Sequence, residues 1–455
     1  MVALPPELWN LVIHALTDHP RTLLALTRTC RQFNGPAEAA LYRSISPRDS
    51  SSLHQLCQCL RKAHQKRRVI SLNLSAMGHY LRPEYLEDIL AFLHLPSVLS
   101  LKLPFTTDSK PAQLMVELVS ECLNVRTLSL PWIGDTFDHQ PDIKHNLALI
   151  SCLHNTPRVQ NLRLGCVSDG VGSVFADIVG GLKDLGRLEM TEYCEVGKEE
   201  VQALAAAPGK LASIRIGPFR GEDLSSLHAL LLNHRHTLRE VMIVDEGVYP
   251  PGLLTLLVDN LPYLTKLALF TGRIPTAELD VFFQQVSGLE CCVIQSQPGI
   301  ADRHLRSLLA RNPGLTALGL SHSSITDVSL IPLLERIGPH LVTLDLESCA
   351  LISDVSLSVM STSCSSLREL DLGGRHPLVT MDGLRGLLDE NSVCRPTLKH
   401  IGATGIRCSR YYGTGEELRS WVSKVTKEFG GMSDMIWRSF TCRKYGDLAQ
   451  TDYEF

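Results

Sequence analysis

The pattern L-x-x-L-x-L, with valine or another apolar residue able to take a leucine position, begins at Val69, Val98, Val125, Val159, Leu185, Leu211, Leu238, Leu264, Leu289, Leu315, Leu341, Leu367 and Leu398. From Val159 to Leu367 each step is 25 to 27 residues long. A unit of that length holds one short strand and one returning helix, and neither can bury its apolar face without a neighbouring copy. The expected architecture is therefore an α/β solenoid of about 13 repeats. Strands stack about 4.8 Å apart while helices need roughly 10 Å, so the array must curve, with a parallel sheet on the concave side and helices on the convex side.

The clearest copy is LVTLDLESCALISDVSLSVMSTSC, from Leu341. Leu341, Leu344 and Leu346 are expected to point inward from the strand. Cys349 and Ile352 close the following turn, and Leu357 and Met360 line the inner face of the helix. Asp354 stands where an acceptor is wanted to cap that helix. Ile325, Asp327 and Leu330 repeat the scheme, as do Ile300, Asp302 and Leu305. The unit resembles the cysteine-containing class of leucine-rich repeats.

Cysteine use and charge narrow the function classes. The chain has 14 cysteines, many at repeat positions such as Cys166, Cys292, Cys349 and Cys364. The close pairs Cys57-x-Cys59 and Cys291-Cys292 have no second pair or histidine at zinc spacing, so reduced, metal-free packing thiols are expected. Asp135, Asp138, His139, Asp142 and His145 lie in a long polar insertion after the Val125 strand and read as a loop with prolines. The opening MVALPPELWNLVIHAL lacks a basic start and carries Glu7, Asn10 and His14 within its apolar part, which argues against a signal peptide. Apolar runs such as LLTLLV at 253–258 are too short to cross a bilayer. Residues 1–68 carry net charge +6 and the remainder −10. The basic cluster RKAHQKRR at 61–68 sits beside Leu53, Leu56 and Leu60 without interleaved aromatics, as on a solvated helix face.

Ahead of the first repeat, residues 4–45 read as three short helices. Pro5 and Pro6 suit a helix start, and Leu8, Val12 and Leu16 form one stripe with Trp9 and Ile13 beside it. Asp18-His19-Pro20 breaks the chain. A second helix carries Leu23, Leu24 and Leu26 toward Cys30 and Phe33, and a third holds Ala37, Ala40 and Leu41. So many large apolar residues in so short a segment call for burial against something else. The segment resembles an F-box, the helical motif that docks a substrate receptor onto the Skp adaptor of a cullin-RING ubiquitin ligase. Leu4-Pro5, Glu7-Leu8, Val12-Ile13, Leu16, Leu23, Leu26 and Cys30-Arg31 followed by an aromatic carry the resemblance. The family often has Trp where this chain has Phe33, and Thr29 replaces a common Val. The resemblance implies an adaptor-binding set of Leu4, Pro5, Glu7, Leu8, Val12, Ile13, Leu16, Leu23, Leu26, Cys30, Arg31 and Phe33.

The order of elements resembles the F-box/leucine-rich-repeat receptor family: an F-box at 1–45, a linker helix at 46–68, the solenoid at 69–415, and a cap helix and tail at 416–455, where Leu418, Trp421, Val422, Val425 and Phe429 form a stripe. Alternation assigns the x positions of the repeat to the concave face. Arg163, Arg187, Glu189 and Arg215 then give a basic strip, Met242, Val244, Ala268 and Phe270 an apolar one, and Asp345, Glu347, Glu369 and Asp371 an acidic one. Apolar side chains on a wet face suggest a contact patch. Arg163, Arg187, Arg215, Met242, Val244 and Phe270 are the expected substrate-binding residues. No phosphate-binding loop, zinc-protease, dinucleotide or serine-hydrolase motif is present, so a non-catalytic role without cofactors is expected. The expected partners are a Skp-type adaptor, through it a cullin-RING ligase, and a protein substrate, with no nucleic acid and no membrane. The compartment implied is cytoplasm or nucleus. The competing reading is a leucine-rich-repeat scaffold that binds a protein without a ligase.

Overall fold

A computed structural model describes residues 40–61, 67–78, 81–106, 108–131, 134–135, 140–141, 143–165, 172–190, 198–208, 210–217, 224–244, 249–374 and 376–402, together with Ile13, Thr22, Leu23, Ala25, Leu26 and Ala37. The chain divides into two units, Met1–Leu211 and Ala212–Phe455.

In the first unit, strands β1 (Ser44–Ile45), β2 (Ser71–Asn73), β3 (Ser100–Lys102), β4 (Thr127–Leu130), β5 (Asn161–Leu164) and β6 (Arg187–Met190) pair in parallel in that order. Helices α1 (Ser50–Arg61), α2 (Pro83–Phe92), α3 (Ser109–Glu121), α4 (Ile143–Ser151), α5 (Gly172–Val179) and α6 (Lys198–Ala206) alternate with them. Strand β1 precedes the first leucine pattern, and Ile45 pairs with Leu72. Helix α1 buries Leu53, Cys57 and Leu60, while Leu56 lies only half-buried beside them.

In the second unit, strands β7 (Ser213–Ile216), β8 (Glu240–Val244), β9 (Lys266–Phe270), β10 (Cys291–Ile294), β11 (Ala317–Gly319), β12 (Thr343–Asp345), β13 (Glu369–Asp371) and β14 (His400–Gly402) are likewise parallel neighbours in sequence order. The connecting helices are α7 (Leu224–His234), α8 (Leu253–Asn260), α9 (Thr276–Gln285), α10 (Asp302–Arg311), α11 (Asp327–Ile337), α12 (Asp354–Ser363) and α13 (Met381–Leu387). Both units have the leucine-rich-repeat solenoid architecture that the sequence period requires.

The leucine positions build the core. Leu341, Leu344, Leu346, Cys349, Ile352, Leu357 and Met360 are all fully buried, as are Ile300 and Ile325. Each buried leucine contributes about 1.5–3 kcal/mol of transfer free energy. Only the packed stack realises that gain, because a lone repeat leaves one side of each strand and helix wet.

Two ladders of polar contacts fix the repeat register. The first corrects the expectation for Asp354. The caps of α11 and α12 are Thr326 and Ser353, whose hydroxyls accept from the N–H groups of Val328 and Val355. The aspartates one residue later bond across to the following repeat instead. Asp302 accepts from the Thr326 backbone at 2.8 Å, the Thr326 hydroxyl at 2.8 Å and the Ser329 hydroxyl at 2.6 Å. Asp327 holds Ser353 and Ser356 in the same way. The second ladder follows the strands. Ser296, His322, Ser348 and Gly374 all have positive φ, between 55° and 78°. The N–H groups of the first three donate to the carbonyls of Ser321, Glu347 and Gly373 at 3.1, 2.7 and 2.8 Å. The left-handed turn aims each N–H sideways at the next repeat, and three non-glycine residues accept its steric cost.

Candidate protein-recognition surfaces

In β9 the inward residues Leu267 and Leu269 are fully buried. The alternate residues Lys266, Ala268 and Phe270 face away from the helices, on the side expected to be concave. Register then extends one row along that face: Arg215, Met242, Ala268, Val293, Gly319, Asp345 and Asp371 are successive Cα partners. Ala268, Cys291 and Val293 are buried in a cluster, with Met242, Phe270 and Ala317 packed against it. Of the expected apolar patch, Ala268 is buried in that cluster with Val293, and Met242 and Phe270 stay half-buried at its edge. Val244 is not part of an open surface. It is the direct cross-strand partner of Phe270 and only 5% exposed. Phe270 and Met242 remain half-buried and supply the accessible apolar edge. Arg215 is the cross-strand partner of Met242, so the structure brings those two together. Lys266 pairs with Glu240 at 3.0 Å beside them.

The acidic end of this row carries a polar contact that the repeat pattern does not reveal. Gln295 donates to Asp345 Oδ2 at 2.9 Å from two strands away, and the Glu347 N–H donates to Oδ1 at 3.0 Å. On the strand between them, Gly319 is the Cα partner of Asp345, and an added Cβ there would lie 2.9 Å from Val293. Burial, reinforced by the Asp371 carboxylate, pushes the Asp345 pKa up to about 7. Burial also raises Asp371, whose Oδ1 accepts from the Gly373 N–H at 2.7 Å, and burial with the Asp371 charge raises Glu347.

Arg163 and Arg187 belong to the first unit. Arg163 is the cross-strand partner of Glu189, with Nε 3.5 Å from its Oε1, and Arg187 is the partner of Asn161. Of the adaptor-binding set, Leu4, Pro5, Glu7, Leu8, Val12, Leu16, Cys30, Arg31 and Phe33 lie outside the described residues, as does the stripe from Leu418 to Phe429. Ile13 and Leu23 are buried within the chain itself, at 4% and 0% exposure, whereas Leu26 is half-buried. The first two therefore face the chain's own interior. Asp138, His139 and Asp142 of the polar insertion also lie outside the described residues. Among the described residues, no group of three or more His, Cys, Asp or Glu could hold a metal ion. No described helix is long and apolar enough to cross a membrane.

No protein-family model matches the chain, and no curated protein matches it. Its fold is similar to a chain in the crystal structure of the Rad7 and Elc1 complex in yeast, with a TM-score of 0.51 and 16% identity over 91% of this chain and 96% of that one. An internalin, inlF, from Listeria monocytogenes shares 17% identity at a TM-score of 0.37, over 71% of this chain and 90% of that one. The structure of the TLR13–ssRNA13 complex gives 14% identity at a TM-score of 0.35, over 76% and 50%. At 16% identity the likeness to the chain in the Rad7 and Elc1 complex is one of fold alone.

Proposed function

We propose that the chain is the substrate-recognition subunit of a Skp-cullin-F-box ubiquitin ligase, its F-box-like segment docking the adaptor and its repeats holding the protein substrate. The observation that carries this reading is the succession, in one chain, of the Leu4-Pro5 to Phe33 pattern and a solenoid whose second unit presents Met242 and Phe270 beside Arg215. The Rad7–Elc1 structure supports it as a chain of similar fold in complex with a second protein. In this scheme the chain performs no chemistry. It raises the local concentration of substrate near the ubiquitin-loaded enzyme, which converts a bimolecular encounter into an intramolecular one.

Leu8→Asp tests the reading by placing a charge in the expected adaptor interface. The variant should lose capture of a Skp-type adaptor from cell extract while the far-ultraviolet circular dichroism of the repeats stays unchanged. Undiminished adaptor capture would leave the alternative, a repeat scaffold that binds protein without a ligase.

A further inference from the structure

On the open sheet face of the second unit, two groups of opposite character meet at Gly319. On one side Met242, Phe270 and Ala317 pack against the buried cluster of Ala268, Cys291 and Val293. On the other stand Asp345 and Asp371, with Glu347 two residues beyond Asp345 on the same face. Val293, Gly319 and Asp345 are successive Cα partners, so in that row one residue without a side chain separates the two groups.

The three carboxyls are held against one another. Asp345 and Asp371 are direct Cα partners on β12 and β13, and like charges directly opposite on neighbouring strands cost stability. Burial and the Asp371 charge raise the pKa of both Asp345 and Glu347, and Glu347 adds to the effect at Asp345. Asp345 is 5% exposed, whereas Glu347 and Asp371 are half-buried and within reach of a partner. Their hydrogen bonds come from neutral groups, the Gln295 amide and the N–H groups of Glu347 and Gly373. Among the described residues no Lys or Arg forms an ion pair with any of the three. His322 beside Glu347 and His376 beside Asp371 are the nearest basic groups, and burial pushes the His376 pKa down. At the apolar group, by contrast, Lys266 is already paired with Glu240 at 3.0 Å.

We propose that this face binds a segment of the protein substrate in which a large apolar side chain stands about three to five residues from a lysine or arginine. The apolar side chain packs on Met242, Phe270 and Ala317, and the cation meets Glu347 and Asp371. From β9 to β12 is three strand spacings, about 14 Å, and an extended chain advancing about 3.3 Å per residue covers that in roughly four residues. The partner's cation relieves a repulsion that the free protein carries, and it does so in a partly desolvated place where the attraction is strong. Arg215, the Cα partner of Met242 on the far flank, turns the basic end of the segment toward β12 and β13. A nucleic acid would bring its phosphates against three carboxyls, which disfavours it here. The inference rests on the protein-recognition reading above and adds the class of substrate to it.

The test uses the full chain on arrays of degenerate peptides with a fixed phenylalanine and an arginine four residues away, in both orders. Matched arrays carry glutamine or glutamate for the arginine, or alanine for the phenylalanine. Retention should be about tenfold higher with arginine than with glutamine, and lowest with glutamate. Asp371→Asn and Glu347→Gln should each remove most of the arginine preference. Both remove like charge at nearly constant shape, so thermal unfolding should show no loss of stability. Phe270→Ala should reduce the preference for phenylalanine over alanine and leave the arginine preference in place. Equal retention on the arginine and glutamine arrays would overturn the proposal, as would an arginine preference unchanged in both neutralised variants. Self-association of the parent chain in sedimentation velocity, lost in the same variants, would assign the face to a second copy instead. Because adaptor capture is scored separately with Leu8→Asp, loss of the arginine preference with normal capture removes only this inference, and failed capture removes only the ligase reading.

Discussion

The carboxylate of Asp354 accepts from both the backbone N–H and the hydroxyl of Thr380, at 2.8 and 2.6 Å, across 26 residues of sequence. With the equivalent contacts of Asp302 and Asp327, it makes an acidic rail that ties the start of one helix to the start of the next. The contact is so close that a Cβ at Gly383, where the two preceding repeats have Ser329 and Ser356, would collide with Asp354. Removing an ionised acceptor from several donors costs about 2–4 kcal/mol. Asp327→Ala should lower stability by that amount in urea unfolding, and Val328→Ala, at an exposed neighbour, by less than about 0.5 kcal/mol.

Asp345 links stability to pH in the direction opposite to a salt-bridged carboxylate. Its folded-state pKa is raised to about 7 by burial and by Asp371. The folded protein therefore holds this proton more tightly than the unfolded chain, where the carboxyl keeps its ordinary value near 3.8. Stability is greatest below the unfolded pKa, falls as pH rises toward 7, and is level above it. Asp345→Asn should be near neutral at pH 4 and stabilise the second unit by about 1–3 kcal/mol at pH 8. Thermal unfolding across that range decides it, and a variant less stable at pH 8 would contradict the sign.

The strand register separates fold from recognition within β9. Leu267 is fully buried, so Leu267→Ala should cost about 2–5 kcal/mol. Phe270 is half-buried against the Ala268–Val293 cluster, and Phe270→Ala should cost distinctly less in unfolding. In substrate capture the order should invert, with Phe270→Ala and Met242→Ala each weakening binding by about 1–3 kcal/mol. If Phe270→Ala is the more destabilising substitution in thermal unfolding, the assignment of this face is lost.

Thiol reactivity should follow burial. Burial pushes Cys57, Cys122, Cys291 and Cys364 up to about 12, and the acidic Asp88 adds to the effect at Cys57. Of the nine described cysteines, all free, only Cys59 is exposed. Because the thiolate is the reactive form, iodoacetamide at pH 8 should modify Cys59 well before the other eight, and mass-spectrometric mapping of native protein would show it.

The strained turn at Ser348 offers a test of the second ladder. Its φ of 55° suits glycine better than serine, yet its N–H must reach Gly373. Ser348→Val, with a branched Cβ in the left-handed region, should destabilise by about 1–2 kcal/mol. Ser348→Gly should change stability by less than about 1 kcal/mol, because relief of strain opposes a more flexible unfolded chain.

The sequence by itself determined the repeat and its buried set. A period near 26 residues leaves one arrangement in which Leu341, Leu344, Leu346 and their counterparts escape water, and alternation then settles which residues of each strand face away. It also placed Met242 and Phe270 on the open face, because that assignment needs only local geometry. Tertiary structure decided whatever depends on two repeats at once. Val244, the cross-strand partner of Phe270, is buried at 5% exposure, and Asp354 serves the next helix through the Thr380 N–H and hydroxyl at 2.8 and 2.6 Å. Gln295 reaches Asp345 from two strands away, past the intervening strand β11. The physical reason is common to all three. The period fixes where side chains begin, but the size of the neighbour one or two strands away fixes where they can end, and a single repeat's sequence does not contain that neighbour.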